Sequence, residues 1–371
     1  MRNPFSVFGM GLSLFCLAFN LYAAWWVVRR LALRHWGRFL AVEAALLLSA
    51  LYPAARGFFS GFAGPLADAS LWLGFFVLGA SFIVFWWLAL CDLLLWALRA
   101  RGRGAALACL AGAAGLVGLA AWQGHKPPEV VRLEIPVAGL PRALDGFSVL
   151  QVSDLHLGRM SGHGRIAHIA GVAEGVSPDL IVFTGDFSER RERMPDGTCE
   201  TLRSLKARYG RAAVLGNHDL FTGGGPAAEF FTACGVKMLR GEVYEPARGL
   251  LVAGVDDLRR GDRDGAARLA PLLDRAKPLI LLSHQPEGFD AITAAGAGLV
   301  LSGHTHNGQI FPFNLLEFRL FKYFYGLYRE RGFHIYVTSG AGTWGPPLRL
   351  FTRSELPLLT LRYVDSPGGK R

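Results

Sequence analysis

Seven residues of metal-ligand type stand at the ends of short apolar runs. They are Asp154 and His156 in SDLH, Asp186 in TGD, Asn217 in GNHD, His284 in SH, and His304 and His306 in SGHTH. The members of each close pair, Asp154 with His156 and His304 with His306, are two positions apart. Strand geometry carried through such a pair would send both side chains to one face. Two carboxylates, one amide oxygen and four imidazoles exceed the four ligands of a usual single zinc site. They suit two cations sharing a carboxylate, because a carboxylate has two oxygens to offer. With no cysteine in the set, the donors favour Mn²⁺, Fe, Zn²⁺ or Ni²⁺ over a soft-metal store. One histidine after a strand is more often structural. The joint pattern, with Gly or Ser in every cluster for a tight turn, is what points to chemistry.

The elements that must position these groups are legible as alternating apolar runs and helical stretches. Phe147–Val152, Leu180–Thr184, Arg211–Leu215, Leu250–Val255, Leu279–Ser283 and Leu299–Ser302 read as strands, with His334–Thr338 and Leu358–Tyr363 closing the chain. Gly164–Val176, Cys199–Tyr209 and Gly225–Cys234 read as helices between them. The alternation argues for an α/β domain. In such sheets ligands bind beyond the carboxyl ends of the strands, so groups about 150 residues apart can converge.

The first third of the chain is different. Of 371 residues, 51% are apolar and only 18% charged, below the roughly 25% of a soluble domain. Residues 1–128 carry a net +7, and the remainder only +3. The basic excess is therefore juxtamembrane charge, and nucleic acid has little support as a partner. Four apolar stretches, about 6–28, 39–55, 71–91 and 104–124, predict transmembrane helices, the second interrupted by Glu43. Arginines crowd the first and third loops (Arg29, Arg30, Arg34, Arg38; Arg99, Arg101, Arg103). The positive-inside rule puts those loops in the cytoplasm and everything after Gly124 outside. The expected organisation is a membrane domain over 1–124, a linker over 125–132 around Pro127 and Pro128, and a soluble domain over 133–371. Cys199 and Cys234, the only cysteines outside the spans, are too few to imply a disulfide scaffold.

SDLHLG (153–158), GDFSE (185–189), GNHD (216–219), SHQP (283–286) and GHTHNGQ (303–309) resemble, in order, the motifs of the calcineurin-like metallophosphoesterases. The stretch 325–361 is similar to a later signature of the membrane-associated bacterial branch. The resemblance implies a four-layer α/β/β/α sandwich after the helical membrane domain. It implies one divalent cation on Asp154, His156, Asp186 and His306, and a second on Asp186, Asn217, His284 and His304, with Asp186 as the bridge. It implies that His218 assists the leaving group. Three positions depart from the pattern: Glu189 replaces Asp, Asn307 replaces a glycine, and Ser339-Gly340-Ala341 replaces Ser-Arg-Gly. Asn307 should keep a left-handed turn, and Glu189 should alter hydrogen bonding without loss of metal.

The expected activity is hydrolysis of a phosphate monoester, diester or pyrophosphate by water activated between two cations, with His218 protonating the departing oxygen. Asp219 either orients His218 or caps the segment that follows. Arg190 and Arg191, in the basic run ERRER, and Phe318, in the aromatic segment 311–328, are candidate substrate-binding residues. That aromatic segment either rests on lipid, in keeping with a lipid phosphate substrate, or closes the core. The expected location is the inner (plasma) membrane of a bacterium with the catalytic domain on the extracytoplasmic side. The rival reading is a catalytically silent metal-binding sensor or scaffold, which the complete ligand set disfavours.

Overall fold

The computed structural model describes residues 7–100, 102–189, 194–261, 264–288, 290, 297–330 and 333–364. The chain divides into two units. One is Met1–Lys126 together with Ile310–Pro312 and Gly345–Thr352; the other is Pro127–Gln309, Phe313–Trp344 and Arg353–Arg371.

The first unit contains α1 (Val7–Arg30), α2 (His35–Gly57), α3 (Pro65–Ala97) and α4 (Arg103–His125). All four are long and apolar enough to cross a membrane, the shortest having 23 residues. At 1.5 Å per residue that is about 34 Å, enough for a hydrocarbon layer of about 30 Å. The helices outrun the uncharged stretches because charges at their ends find partners. Asp92, inside α3, accepts from Arg30 at 2.5 Å and from Trp26 Nε1 at 3.0 Å. Lys126 lies 3.7 Å from the centre of the Trp122 ring, the pairing expected where a helix meets the water interface. Within this unit Ile310, Leu348 and Leu350 pack with Ile83 and Ala120, and the Arg349 amide donates to the Ala120 carbonyl at 2.9 Å.

The second unit begins with β1 (Glu129–Ala138), β2 (Ser148–Val152), α5 (Gly164–Val176), β3 (Leu180–Thr184), α6 (Thr198–Ser204), β4 (Arg211–Val214), α7 (Gly225–Ala233) and β5 (Lys237–Met238). It continues with β6 (Glu242–Ala247), β7 (Leu250–Val255), α8 (Gly265–Leu269), β8 (Leu279–Ser283), β9 (Ala297–Ser302), α9 (Phe313–Leu320), β10 (Gly326–Glu330), β11 (Phe333–Val337) and β12 (Glu355–Val364). Two mixed six-stranded sheets form, ordered β1-β12-β2-β3-β4-β5 and β10-β11-β9-β8-β7-β6. β1 begins at Glu129, inside the stretch expected to be linker, because β12 supplies it a parallel partner running from Glu355 to Val364.

Alternation along the strands builds three apolar layers. Val149, Val182 and Val214 from one sheet meet Val252, Leu282 and Leu301 from the other. The opposite face of the first sheet, with Leu150, Ile181 and Phe183, is covered by Ile166 and Ile169 of α5 and Phe231 of α7. The outer face of the second, with Leu251, Leu281 and Ile335, is covered by Ala266 and Leu269 of α8. Strands buried on both faces read as continuous apolar runs, so they were the easiest to locate. The result is the four-layer α/β/β/α sandwich.

Candidate metal centre

Each candidate ligand sits just past a strand end, but not in strand conformation. β2 stops at Val152 and β9 at Ser302. Asp154, His156, Asp186, His304 and His306 all have positive φ, between 46° and 73°. The pairs therefore converge through left-handed turns, not by strand alternation as the spacing predicts. Non-glycine residues held there are strained by about 1–3 kcal/mol each, and such strain collects at functional sites. Asn307 also adopts φ 53°, as expected of an asparagine in place of glycine. Gly216 has a different role. A Cβ there would lie 2.2 Å from Asp186 Oδ1, so only glycine lets the GNHD loop close onto that carboxylate.

The seven groups come together. Asp154, His156 and His306 form one cluster, and Asp186, His284 and His304 another. His156 Nε2 is 3.1 Å from His306 Nε2, which is 3.4 Å from Asp154 Oδ1. His284 Nε2 is 3.2 Å from Asn217 Oδ1 and 3.3 Å from His304 Nδ1. One oxygen joins the two groups: Asp186 Oδ2 lies 3.7 Å from His156 Nε2 and 3.3 Å from His284 Nε2. Donors about 2.0–2.2 Å from a shared cation stand roughly 3.0–3.6 Å apart in octahedral or tetrahedral geometry. The residues present thus fit a pair of divalent cations. The partners behind them fit as well. His284 Nδ1 faces the Thr184 carbonyl at 2.9 Å, and His156 Nδ1 faces Glu189 Oε2 at 2.9 Å. Both contacts put the proton on Nδ1 and turn a lone pair on Nε2 inward.

Electrostatics point the same way. Burial disfavours charge on His284, yet Asp186 and Asp154 beside it push its imidazole up to about 10. Burial, then the charge of His284, push neighbouring His304 down to about 3. Burial raises the Asp154 carboxyl; around Asp186 it is outweighed by His284 and His218, which hold that carboxyl well below its usual range. A buried cluster of this kind keeps a proton where it would otherwise hold a cation.

His218 is buried beside the centre, its ring edge-on to His156 with centroids 4.7 Å apart. Its Nδ1 lies 3.1 Å from Glu189 Oε1, so one carboxylate holds both His156 and His218. Burial would raise Glu189, but its bonds to His156 and then His218 keep it well below the carboxylate range. Glu189 thus takes the orienting role considered for Asp219, which the structure corrects. The Asp219 oxygens accept from the amides of Phe187, Ser188 and Gly216 at 3.3, 3.0 and 3.0 Å. They clamp the 185–189 and 216–219 loops together and do not bond the His218 ring. Sequence reasoning marked Glu189 as a departure and missed its double contact.

The remaining candidates separate. Arg190 and Arg191 lie outside the described residues. Phe318 projects from α9 with 64% of its surface exposed. At the position where the resemblance implies arginine, Gly340 has φ 77°, and a Cβ would stand 2.7 Å from that of Asp154. An arginine cannot take that backbone unmoved. Cys199 and Cys234 form a disulfide, which two cysteines 35 positions apart did not announce.

The family profile described as calcineurin-like phosphoesterase matches residues 147–308. A transmembrane protein with a metallophosphoesterase domain from Danio rerio is 33% identical over 255 residues, covering 64% of this chain and 58% of that protein. The chain thus spans less than two thirds of that relative's length. An uncharacterised metallophosphoesterase of Aquifex aeolicus is 33% identical over 241 residues, covering 63% of this chain and 92% of that one. Among solved structures, a dimetal phosphatase from Danio rerio is 11% identical with a TM-score of 0.37, covering 59% of this chain and all of that one. The motif order, the two joined clusters and a relative matched over nearly its whole length agree: this chain belongs to the calcineurin-like metallophosphoesterases.

Proposed function

We propose that the protein is a membrane-anchored phosphoesterase that hydrolyses a phosphate ester with two divalent cations. The observation that carries this is Asp186 Oδ2, set between an imidazole of each cluster at 3.3 and 3.7 Å. Asp154, His156, Asp186 and His306 would hold one cation, and Asp186, Asn217, His284 and His304 the other. When bound, such a pair supplies activation of the attacking water and neutralisation of charge on the phosphoryl oxygens.

The protein's own groups do the rest. Glu189 fixes His156 with Nε2 inward and receives the Nδ1 proton of His218. That leaves Nε2 of His218 to carry the proton given to the departing oxygen. Asp219 keeps the loop bearing His218 registered against the loop bearing Asp186. The full-length protein should turn over an aryl phosphate when Mn²⁺ is supplied. Asp186→Asn should lose both metal content and turnover; a fully loaded, active variant would sink the bridging role. Turnover absent from the parent protein with every metal, despite binding, would favour a silent metal sensor.

The proposed setting is the plasma membrane of a bacterium, with the catalytic unit on the extracytoplasmic side. The arginine-rich first and third loops support that orientation. The Cys199–Cys234 disulfide supports it independently, because disulfides persist in oxidising compartments.

A further inference from the structure

The helix that follows the last candidate ligand has its polarity reversed. In α9 the half-buried positions are Asn314 and Glu317, three apart on one face, while Leu315, Leu316, Phe318 and Leu320 are each more than half exposed. Residues three apart share a helix face, so the polar stripe turns inward and the apolar one outward. The inward side is committed. The Gly308 amide donates to Glu317, and Asn314 packs so closely on Gly308 that a Cβ there would be 2.3 Å away. Rotation of α9 to bury its leucines would break that seat.

Two connections bear on what could cover the outer face. Ile310–Pro312, immediately before α9, belong to the unit of apolar helices, and Ile310 is buried there among Ile83, Ala120, Leu348 and Leu350. At the other end Phe321 lays its ring edge-on to the His304 imidazole, centroids 5.6 Å apart. The chain thus runs from the membrane helices, along a helix with its apolar side out, to a candidate metal ligand. Arg319 in the last turn is the kind of basic residue that holds such a helix at an anionic lipid surface.

We infer that α9 lies in the lipid interface and that the substrate is an amphiphile, a phosphate ester whose acyl chains stay in the bilayer while its phosphate reaches the metal centre. This rests on the phosphoesterase reading, but its first test does not. Full-length protein carrying Phe318→Cys, labelled with a fluorophore and reconstituted in phosphatidylcholine–phosphatidylglycerol vesicles, should be quenched by doxyl-labelled lipid. The same label at exposed Glu174→Cys on α5 should not be. No quenching at position 318, whether the face is bare or covered by a second copy of the chain, overturns the placement. The second test compares the parent with Leu315→Gln, Leu316→Gln, Leu320→Gln combined. Hydrolysis of phosphatidate in those vesicles should fall at least tenfold, with aryl phosphate hydrolysis within twofold of the parent. Equal losses on both substrates overturn the substrate class. A parent that hydrolyses neither defeats the phosphoesterase reading itself, and with it the substrate class, while the quenching result still decides where α9 lies.

Discussion

Replacing Glu189 with glutamine tests whether one carboxylate organises both the metal side and the acid side of the centre. Its two oxygens receive His156 Nδ1 at 2.9 Å and His218 Nδ1 at 3.1 Å, and its side chain is only 12% exposed. An amide keeps the shape but offers a single acceptor oxygen for two N–H donors. One charge-assisted bond is therefore lost, worth roughly 1.5–3 kcal/mol. At 1.36 kcal/mol per decade this is about a 10- to 150-fold effect.

Where the effect appears depends on which histidine loses its partner. If His218 does, kcat falls while metal content holds. Phenyl phosphate, whose leaving group is the more basic, then loses more than p-nitrophenyl phosphate, because the acid matters more to it. If His156 does, metal affinity falls about 10- to 100-fold, and added Mn²⁺ restores turnover. Steady-state kinetics on the two esters, with metal analysis of the purified variant, separates the cases. Unchanged kcat and metal affinity, or equal loss on both esters with full metal occupancy, would refute the argument.

Other consequences can be measured directly. His284, held at about 10 by Asp186 and Asp154, must give up a proton to bind metal. Apparent Mn²⁺ affinity should therefore climb from pH 6.5 to 9 with proton release, and a flat profile would contradict this. In metal-free protein the same group stabilises the fold below about 6.5 and loses that contribution towards pH 10. Cutting the Cys199–Cys234 link, whose ends are 35 positions apart, should destabilise the unit by about 3–4 kcal/mol on chain-entropy grounds; free thiols at these positions in intact cells would count against an extracytoplasmic site. Glu317, pushed up to about 8 by burial, makes the folded state lose stability as pH rises from about 4.5 through 8, by up to roughly 5 kcal/mol. Glu317→Gln should flatten that slope in a pH series of melting curves.

The sequence showed best what is local. The strands buried on both faces, the seven ligand types at their ends and the four apolar spans each lie within one short window. What depends on distant partners was hidden. β1 could not be seen because its register is set by β12 at the far end of the chain, and the edge strands β6 and β10 lack a continuous apolar run. The turns that converge the ligands are not legible in the sequence, because alternation and a left-handed turn both fit a two-residue spacing. Glu189 stood out only as a longer side chain than expected. That it reaches two histidines follows from where the 156, 189 and 218 loops meet. For the aromatic run after His306, composition could not distinguish a core helix from an exposed one, since both are rich in Phe and Leu.

The proposed placement of α9 turns on which solvent each helix was built for. In α5 the buried residues are Ile166, Ile169 and Ala173, as expected in water. Among the apolar helices polar groups also turn inward and large apolar ones also face out. Asn20 is buried, donating to Ser49 at 3.1 Å and accepting from Ser81 at 3.0 Å, while Leu14, Leu47 and Leu93 face outward. Polar groups satisfied inside and apolar ones outside is the arrangement a hydrocarbon solvent demands. α9 follows the second pattern and not the first, although it belongs to the same unit as α5. A helix with that polarity in water would leave four large apolar side chains exposed, each worth about 1.5–3 kcal/mol if buried. Against lipid the same surface is at no disadvantage, and this difference of medium is the physical ground for the proposed interfacial placement of α9.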